Sequence, residues 1–233
     1  MKKAKPKKAK GPYREYAELI AETSVFVFFI MTFVAQAAQI PTPSMEKTML
    51  VGDLIFINKF IYAQPVLPAE GLILPSRPVE RNDFVVFKPP EEPDKDVVKR
   101  VIAVAGDIIE IRAKQVYINE APLQEDYKVH IDPQVYTEDS RLSNEGYRRD
   151  NFGPAVVPDG HVFVMGDNRD NSLDSRFWGY LSIGRIKGRP WLIYFSYETI
   201  QNPHLRNSPR DRLEKLVRAV TRTRWSRIFK VYR

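Results

Sequence analysis

The sequence predicts a mostly β body preceded by one N-terminal transmembrane helix, and three observations carry that reading. After Glu22 no charged residue occurs until Glu46, and residues 25–38 are almost wholly apolar. Beyond Pro41 the apolar residues fall in short runs rich in Val, Ile, Phe and Tyr. Gly, Pro, Asn and Asp separate these runs, the pattern of short strands joined by turns. With 43% apolar and 28% charged residues in 233, the chain has enough apolar surface for a folded core. The absence of Cys removes disulfide scaffolds, thiolate zinc sites and Cys nucleophiles.

The net charge of +7 is unevenly placed. Residues 1–10 carry six Lys and no acid, residues 204–233 carry ten Lys/Arg against Asp211 and Glu214, and residues 11–203 sum to −7. Two basic ends around an acidic body fit an anionic surface better than a groove for nucleic acid. As helix, residues 23–45 would span about 34 Å, enough for a hydrocarbon core of about 30 Å. The lysine-rich flank keeps the N-terminus in the cytoplasm and exports the rest. The expected organisation is a cytoplasmic basic segment 1–22, a transmembrane helix 23–40, an exported β body 41–203 and a basic amphipathic tail 204–233. A cleavable signal peptide competes, because Ala35-Gln36-Ala37 is a cleavage-like site; Glu15, Glu18 and Glu22, between the lysines and the apolar run, stand against it.

The elements follow in order. Pro41 and Pro43 stop the helix, since proline cannot continue it and disfavours helix in the residue before. Strands are expected at residues 50–60, 84–88 and 97–105, the last ended by Gly106-Asp107. Residues 61–80, apolar and punctuated by Pro, read as an exposed loop. Residues 108–111 and 116–119 straddle a short turn and form a hairpin. Residues 120–158 are polar and weakly patterned, an inserted subdomain or long loops. Two further strands, 161–165 and 190–196, enclose a segment rich in Gly, Asn and Asp. In the tail, Leu213, Leu216, Val217 and Val220 recur at helical spacing with Arg and Lys opposite. That basic amphipathic helix either docks on the body or meets anionic lipid.

Three constellations can carry chemistry. Pro41-Thr42-Pro43-Ser44-Met45 follows the apolar segment so closely that Ser44 is held within about 14 Å of its end. In Val97-Val98-Lys99-Arg100-Val101-Ile102-Ala103 each strand face carries one cation among apolar neighbours. Burial of Lys99 would lower its pKa and supply a neutral amine as base, which an arginine cannot do. The third is the run from Gly166 to Arg176, GDNRDNSLDSR, dense in hydrogen-bonding side chains. Asp170, Ser172 and Asp174 mimic the first ligands of a calcium loop, but Ser175 replaces its glycine and Leu181 its final glutamate. His161 with Asp167 or Asp170 would make a Ser-His-Asp triad; a His on a Val/Phe/Met strand is more often structural.

The apolar segment, PTPSM, VKRVIAVAGD and MGDNRDNSLDSRFWG, in that order, resemble bacterial type I signal peptidase over nearly the whole chain. The resemblance implies a membrane-anchored serine endopeptidase with a coiled, mostly antiparallel β-sheet body and a small second subdomain. Its substrates would be the signal peptides of exported preproteins, cleaved after small residues at −1 and −3, at the lipid bilayer, with no cofactor and no metal. By matching position Ser44 is the nucleophile and Lys99 the general base. Thr42 supplies an oxyanion-hole hydroxyl and Ser172 orients the amine, while Asp167, Asp174 and Arg176 support the network. The chain departs from the pattern at Thr42 and Pro43, where Ser and Gly are commoner, at Lys47, often a proline, and at Ala103, often a glycine. The alternatives are a self-cleaving repressor, which would need a DNA-binding module, and a non-enzymatic anchored or secreted β protein that binds a partner.

Overall fold

The computed structural model describes residues 11–31, 35–62, 76–90, 95–137, 144–199 and 208–232. The lysine tail and most of the expected 61–80 loop lie outside the described residues. Helix α1 (Pro12–Phe29) opens at Gly11 with Pro12 in its first turn, where a missing N–H costs nothing. Its last turns, Val25 to Phe29, are solvent-exposed. The chain then enters β1 (Ala35–Gln39), β2 (Asp53–Asn58), β3 (Phe84–Phe87), β4 (Val97–Val104), β5 (Ile108–Arg112), β6 (Gln115–Ile118) and β7 (Ala121–Pro122). Helix α2 (Asn144–Asp150), β8 (Phe152–Val156), β9 (His161–Met165), α3 (Ser175–Trp178), β10 (Leu181–Ser182), β11 (Ile186–Ser196) and α4 (Pro209–Thr221) complete it.

Two antiparallel sheets result. The larger has the order β1-β2-β11-β3-β4-β9-β10, the smaller β7-β6-β5-β8. The long β11 pairs with β2 along one part and with β3 along the other, with register shifts in both pairings. Such bulges bend and twist a strand, which lets one strand serve two parts of a curling sheet. The β5–β6 turn places Ala113 and Lys114 both at positive φ, +47° and +70°, the geometry that suits a two-residue hairpin. Three apolar clusters hold the body. One gathers Ile40, Met45, Met49, Ile55, Ile57, Phe84 and Ile193 beneath β1 and β2. A second joins the two sheets through Ile102, Ile109, Val116, Phe163 and Met165. The third packs Val85, Phe87, Val101, Val164 and Leu181 on the other face of β3 and β4.

Three boundaries differ from expectation. The expected transmembrane helix 23–40 does not reach its end: residues 35–39 are strand β1, in register with β2 from Ala35 opposite Asn58 to Gln39 opposite Leu54. The backbone groups of this Ala/Gln segment are committed to the sheet, Ala38 packs on the core and Ile40 is buried. The Ala35-Gln36-Ala37 site of the competing signal-peptide reading thus lies inside a paired strand. Among the described residues no helix is long and apolar enough to cross a membrane. The small subdomain begins at the β5–β6 hairpin, at residue 108 and not near 120, because β8 returns to pair with β5. Finally, the body does not end at residue 203. After α4 the chain rejoins it through bridges Thr223–Tyr197 and Val231–Leu192, and Tyr232 is buried edge-on against Phe84.

Candidate active site

Ser44 sits in a single 3-10 turn, Pro43–Met45, and is buried with Met45. The prolines leave Thr42 extended and the turn tight. Met45 anchors it in the core, and Thr42 Oγ1 lies 3.3 Å from Ser44 Oγ. Lys47, two residues beyond the turn, has φ +80° and donates from Nζ to the Asp126 carbonyl at 2.6 Å. A proline, fixed near φ −65°, cannot adopt that backbone, so the departure at Lys47 goes with a different local path.

The turn is tied to the loop from Gly166 to Asp174. The Asn168 N–H donates to the Ser44 carbonyl at 3.1 Å, and Asn168 Nδ2 to the Pro43 carbonyl at 3.3 Å. Gly166 is wedged between the two segments: a Cβ there would run into Ser172 Oγ and stand 2.5 Å from the Ser44 carbonyl oxygen. No residue but glycine fits without moving one of the serines. Ser172 Oγ donates to Asp174 Oδ2 at 2.6 Å, and the Gly166 N–H donates to the same oxygen at 3.0 Å. Arg176 grips Asp174 through Nε at 2.8 Å and reaches the Arg169 carbonyl at 2.7 Å. Burial would raise the Asp174 carboxyl, but the charge and hydrogen bonds of Arg176 hold it below the usual carboxylate range.

Lys99 lies on β4, opposite Val85 of β3, and the 3-10 turn of Ser44 packs against this strand. It is 3% exposed and makes no ion pair among the described residues. Burial brings its amine down from an ordinary 10.5 to about 8. Asp174 pulls the other way, Arg176 adds to the lowering, and Asp167 opposes it. The next residue, Arg100, faces the other side, sandwiched between Phe84 and Tyr127, and makes a two-pronged bond to Asp167 at 2.8 and 2.7 Å. Thr48 Oγ1 donates to the same carboxylate at 2.5 Å. Thr42, Ser44, Ser172, Asp167, Asp174 and Arg176 therefore belong to one hydrogen-bonded assembly, and Asp167 and Asp174 are the carboxylates felt by Lys99.

The competing His161 triad does not assemble. His161 Nδ1 faces the Asp159 carbonyl at 2.9 Å, while Asp167 is held by Arg100 and Asp170 by His130, Lys114 and the Ile131 and Asp132 amides. The calcium-loop reading fails on the same commitments, since Asp170 and Asp174 serve different partners. Two contributors escaped the sequence reading. Asn168 stood inside the quoted run without a role, though it is the residue that ties the serine turn down. Arg169, buried and paired with Glu125 while Nε bonds the Gly166 carbonyl, braces the loop from beneath.

Comparison with known proteins gives the family of the chain. Residues 13–195 match the family model "Signal peptidase, peptidase S26". The chain is 32% identical to signal peptidase I of Aquifex aeolicus (strain VF5) over 88% of this chain and 93% of that protein. It is 30% identical to signal peptidase I of Pseudomonas aeruginosa, covering 84% and 76%, and 32% identical to that of Leptolyngbya laminosa, covering 78% and 79%. The family-model match over residues 13–195 and the 32% identity along 88% of the chain place this protein in the signal peptidase family, peptidase S26.

Proposed function

We propose that the protein is a signal peptidase I: a serine endopeptidase that removes N-terminal signal peptides from exported preproteins with Ser44 and Lys99 as its reacting pair. The observation that carries this reading is the buried Lys99 amine, with a pKa of about 8, on the strand against which the Ser44 turn packs. At that pKa about one amine in ten is neutral at pH 7, against roughly one in three thousand at the ordinary value. Neutral Lys99 takes the proton of Ser44 Oγ, which attacks the scissile carbonyl. The Ser44 N–H and the Thr42 hydroxyl donate to the developing oxyanion, a contribution of about 3 kcal/mol per donor in comparable sites. The ammonium then protonates the leaving amine, and water resolves the acyl-enzyme.

In this reading Ser172 is a positioning residue. Its hydroxyl proton goes to Asp174, leaving its oxygen lone pairs to accept from the lysine. Asp167, Asp174 and Arg176 hold the loop and set the field at the amine. Cleavage follows small residues at −1 and −3. In this reading the part of the uncharged segment that precedes β1, with the exposed apolar residues Val25 to Phe29, holds the chain at the bilayer, with the lysines in the cytoplasm and the β body outside. The test is cleavage of an exported preprotein by the full chain and by Ser44→Ala. Loss of cleavage with an unchanged melting temperature is the expected result. A Ser44→Ala chain that still cleaves would remove Ser44 from the reaction, and an unaltered chain that never cleaves would leave the non-enzymatic binding reading.

A further inference from the structure

Helix α4 sits the wrong way round for a helix docked on a soluble body. Its apolar stripe, Leu213, Leu216, Val217 and Val220, is exposed, Val220 by 77%. The half-buried positions are instead Asp211, Glu214, Lys215, Arg218 and Ala219. A surface helix normally turns its apolar stripe to the core and its charges to water. The inversion is held from both ends. At the start, Ser208 and Asp211 close a reciprocal cap. At the finish, the chain is fixed by the Thr223–Tyr197 bridge, by Arg224 donating to the Val51 carbonyl, and by Arg227 paired with buried Asp53. The apolar display continues past the helix, where Trp225 and Phe229 are each 75% exposed. Phe229 holds φ +64°, unusual for a bulky residue, while its N–H bonds the Ile193 carbonyl.

What covers this surface can be argued from charge. Residues 204–233 carry a net +8 on a body that is otherwise acidic, and Arg210, Arg212, Arg222 and Lys230 are exposed along the same segment. On a helical projection Arg210 and Arg212 fall on the two flanks of the apolar stripe. An apolar stripe edged by guanidinium groups and followed by a Trp is the composition of a helix that lies in a headgroup layer. Aliphatic and aromatic side chains enter the acyl boundary while the cations stay among anionic phosphates.

We propose that α4, with Trp225 and Phe229, is a second membrane-contact surface that lays the body on anionic lipid, separately from the N-terminal apolar segment. It does not rest on the peptidase chemistry, so either can fail alone. Because the chain has no Cys, single labels can be placed by Val220→Cys and Leu213→Cys, with Val156→Cys on β8 as an exposed apolar control. The full chain is reconstituted in vesicles of phosphatidylglycerol with phosphatidylcholine and, separately, of phosphatidylcholine alone. An environment-sensitive fluorophore at 213 or 220 should shift to the blue and be quenched by brominated acyl chains in the anionic vesicles, several-fold more than in the neutral ones. The control at 156 should stay open to aqueous iodide in both. Arg210→Gln with Arg212→Gln should return the anionic result toward the neutral one. Labels at 213 and 220 as open to iodide as the control would overturn the proposal, as would equal burial in both lipids. Label-to-label self-quenching without lipid quenching would assign the surface to a second copy of the chain and overturn it too.

Discussion

Lys99 and Arg100 are neighbours on one strand, both cationic and both buried, yet the protein treats them in opposite ways. Arg100 is given a complete set of partners: two bonds to Asp167, a phenyl ring on one side and a phenol on the other. Lys99 is given an apolar cross-strand neighbour, Val85, and no ion pair among the described residues. Burying a charge costs several kcal/mol unless it is paired. For Arg100 the cost is offset by Asp167. For Lys99 it is met by loosening the proton, which is what a base requires. The alternation of a strand delivers both outcomes from adjacent residues, because it sends them to opposite faces.

The largest effect that would break this comparison comes from removing the loose proton. Lys99→Met keeps the length and apolar stem of the side chain and removes the amine. Turnover on a preprotein should fall by about two to four orders of magnitude, the usual contribution of a positioned base, while the melting temperature is kept. A variant within tenfold of wild type would mean that Lys99 is a buried cation and nothing more.

Arg100→Met attacks the other half. It leaves Asp167, fully buried, without its counter-ion. Unfolding in urea should show a loss of about 3–5 kcal/mol, the cost of breaking a buried pair from one side. Adding Asp167→Asn to that variant should recover part of the loss, since a neutral amide is cheaper to bury than an orphaned carboxylate. If Arg100→Met alone is nearly neutral, the contrast drawn between the two cations is wrong.

How much of this was legible beforehand follows from where the information sits. The strand around Lys99, the hairpin after Gly106 and the strand His161–Met165 announce themselves locally through β-branched runs and turn residues. β1 does not. Its Ala/Gln composition favours helix, and it is a strand only because β2, fourteen or more residues later, offers a free edge. β8 contains Gly153 and Pro154, poor strand formers, and is recruited by β5 from across the insertion. The tail shows a helical period, which says that one face is apolar but not which way it points. Burial of Tyr232 depends on contacts with residues far up the chain. In the site, the run 166–176 was legible because so many hydrogen-bonding side chains in a row need partners. That Asn168 would take Ser44 and Pro43, and Arg169 take Glu125, could not be read from spacing.

The pH profile sharpens the comparison at a smaller scale. With the amine near 8, kcat/KM should climb about tenfold from pH 7 to a plateau above pH 9, following one deprotonation. Asp174→Asn, if it folds, should move that midpoint down, because the carboxylate favours the charged amine. A profile flat from pH 6 to 9, under conditions where chemistry limits the rate, would place the reacting base elsewhere.

The smallest effect is on stability, and its sign is specific to Lys99. The native amine titrates near 8 and the unfolded one near 10.5, so between those values the unfolded chain binds more protons. Stability must therefore rise with pH across that window, as the cost of burying an ammonium is relieved by its deprotonation. Below about pH 7 the cost is fully present and constant. From pH 7.5 to pH 9 the gain amounts to about 1 kcal/mol. It should be read as a difference between wild type and Lys99→Met in urea unfolding at each pH, which cancels the titration of every other group that the substitution leaves undisturbed. A wild-type minus Lys99→Met difference that stays flat would show the amine to be fully charged in the folded protein, and the opposition between the two cations would lose its physical basis.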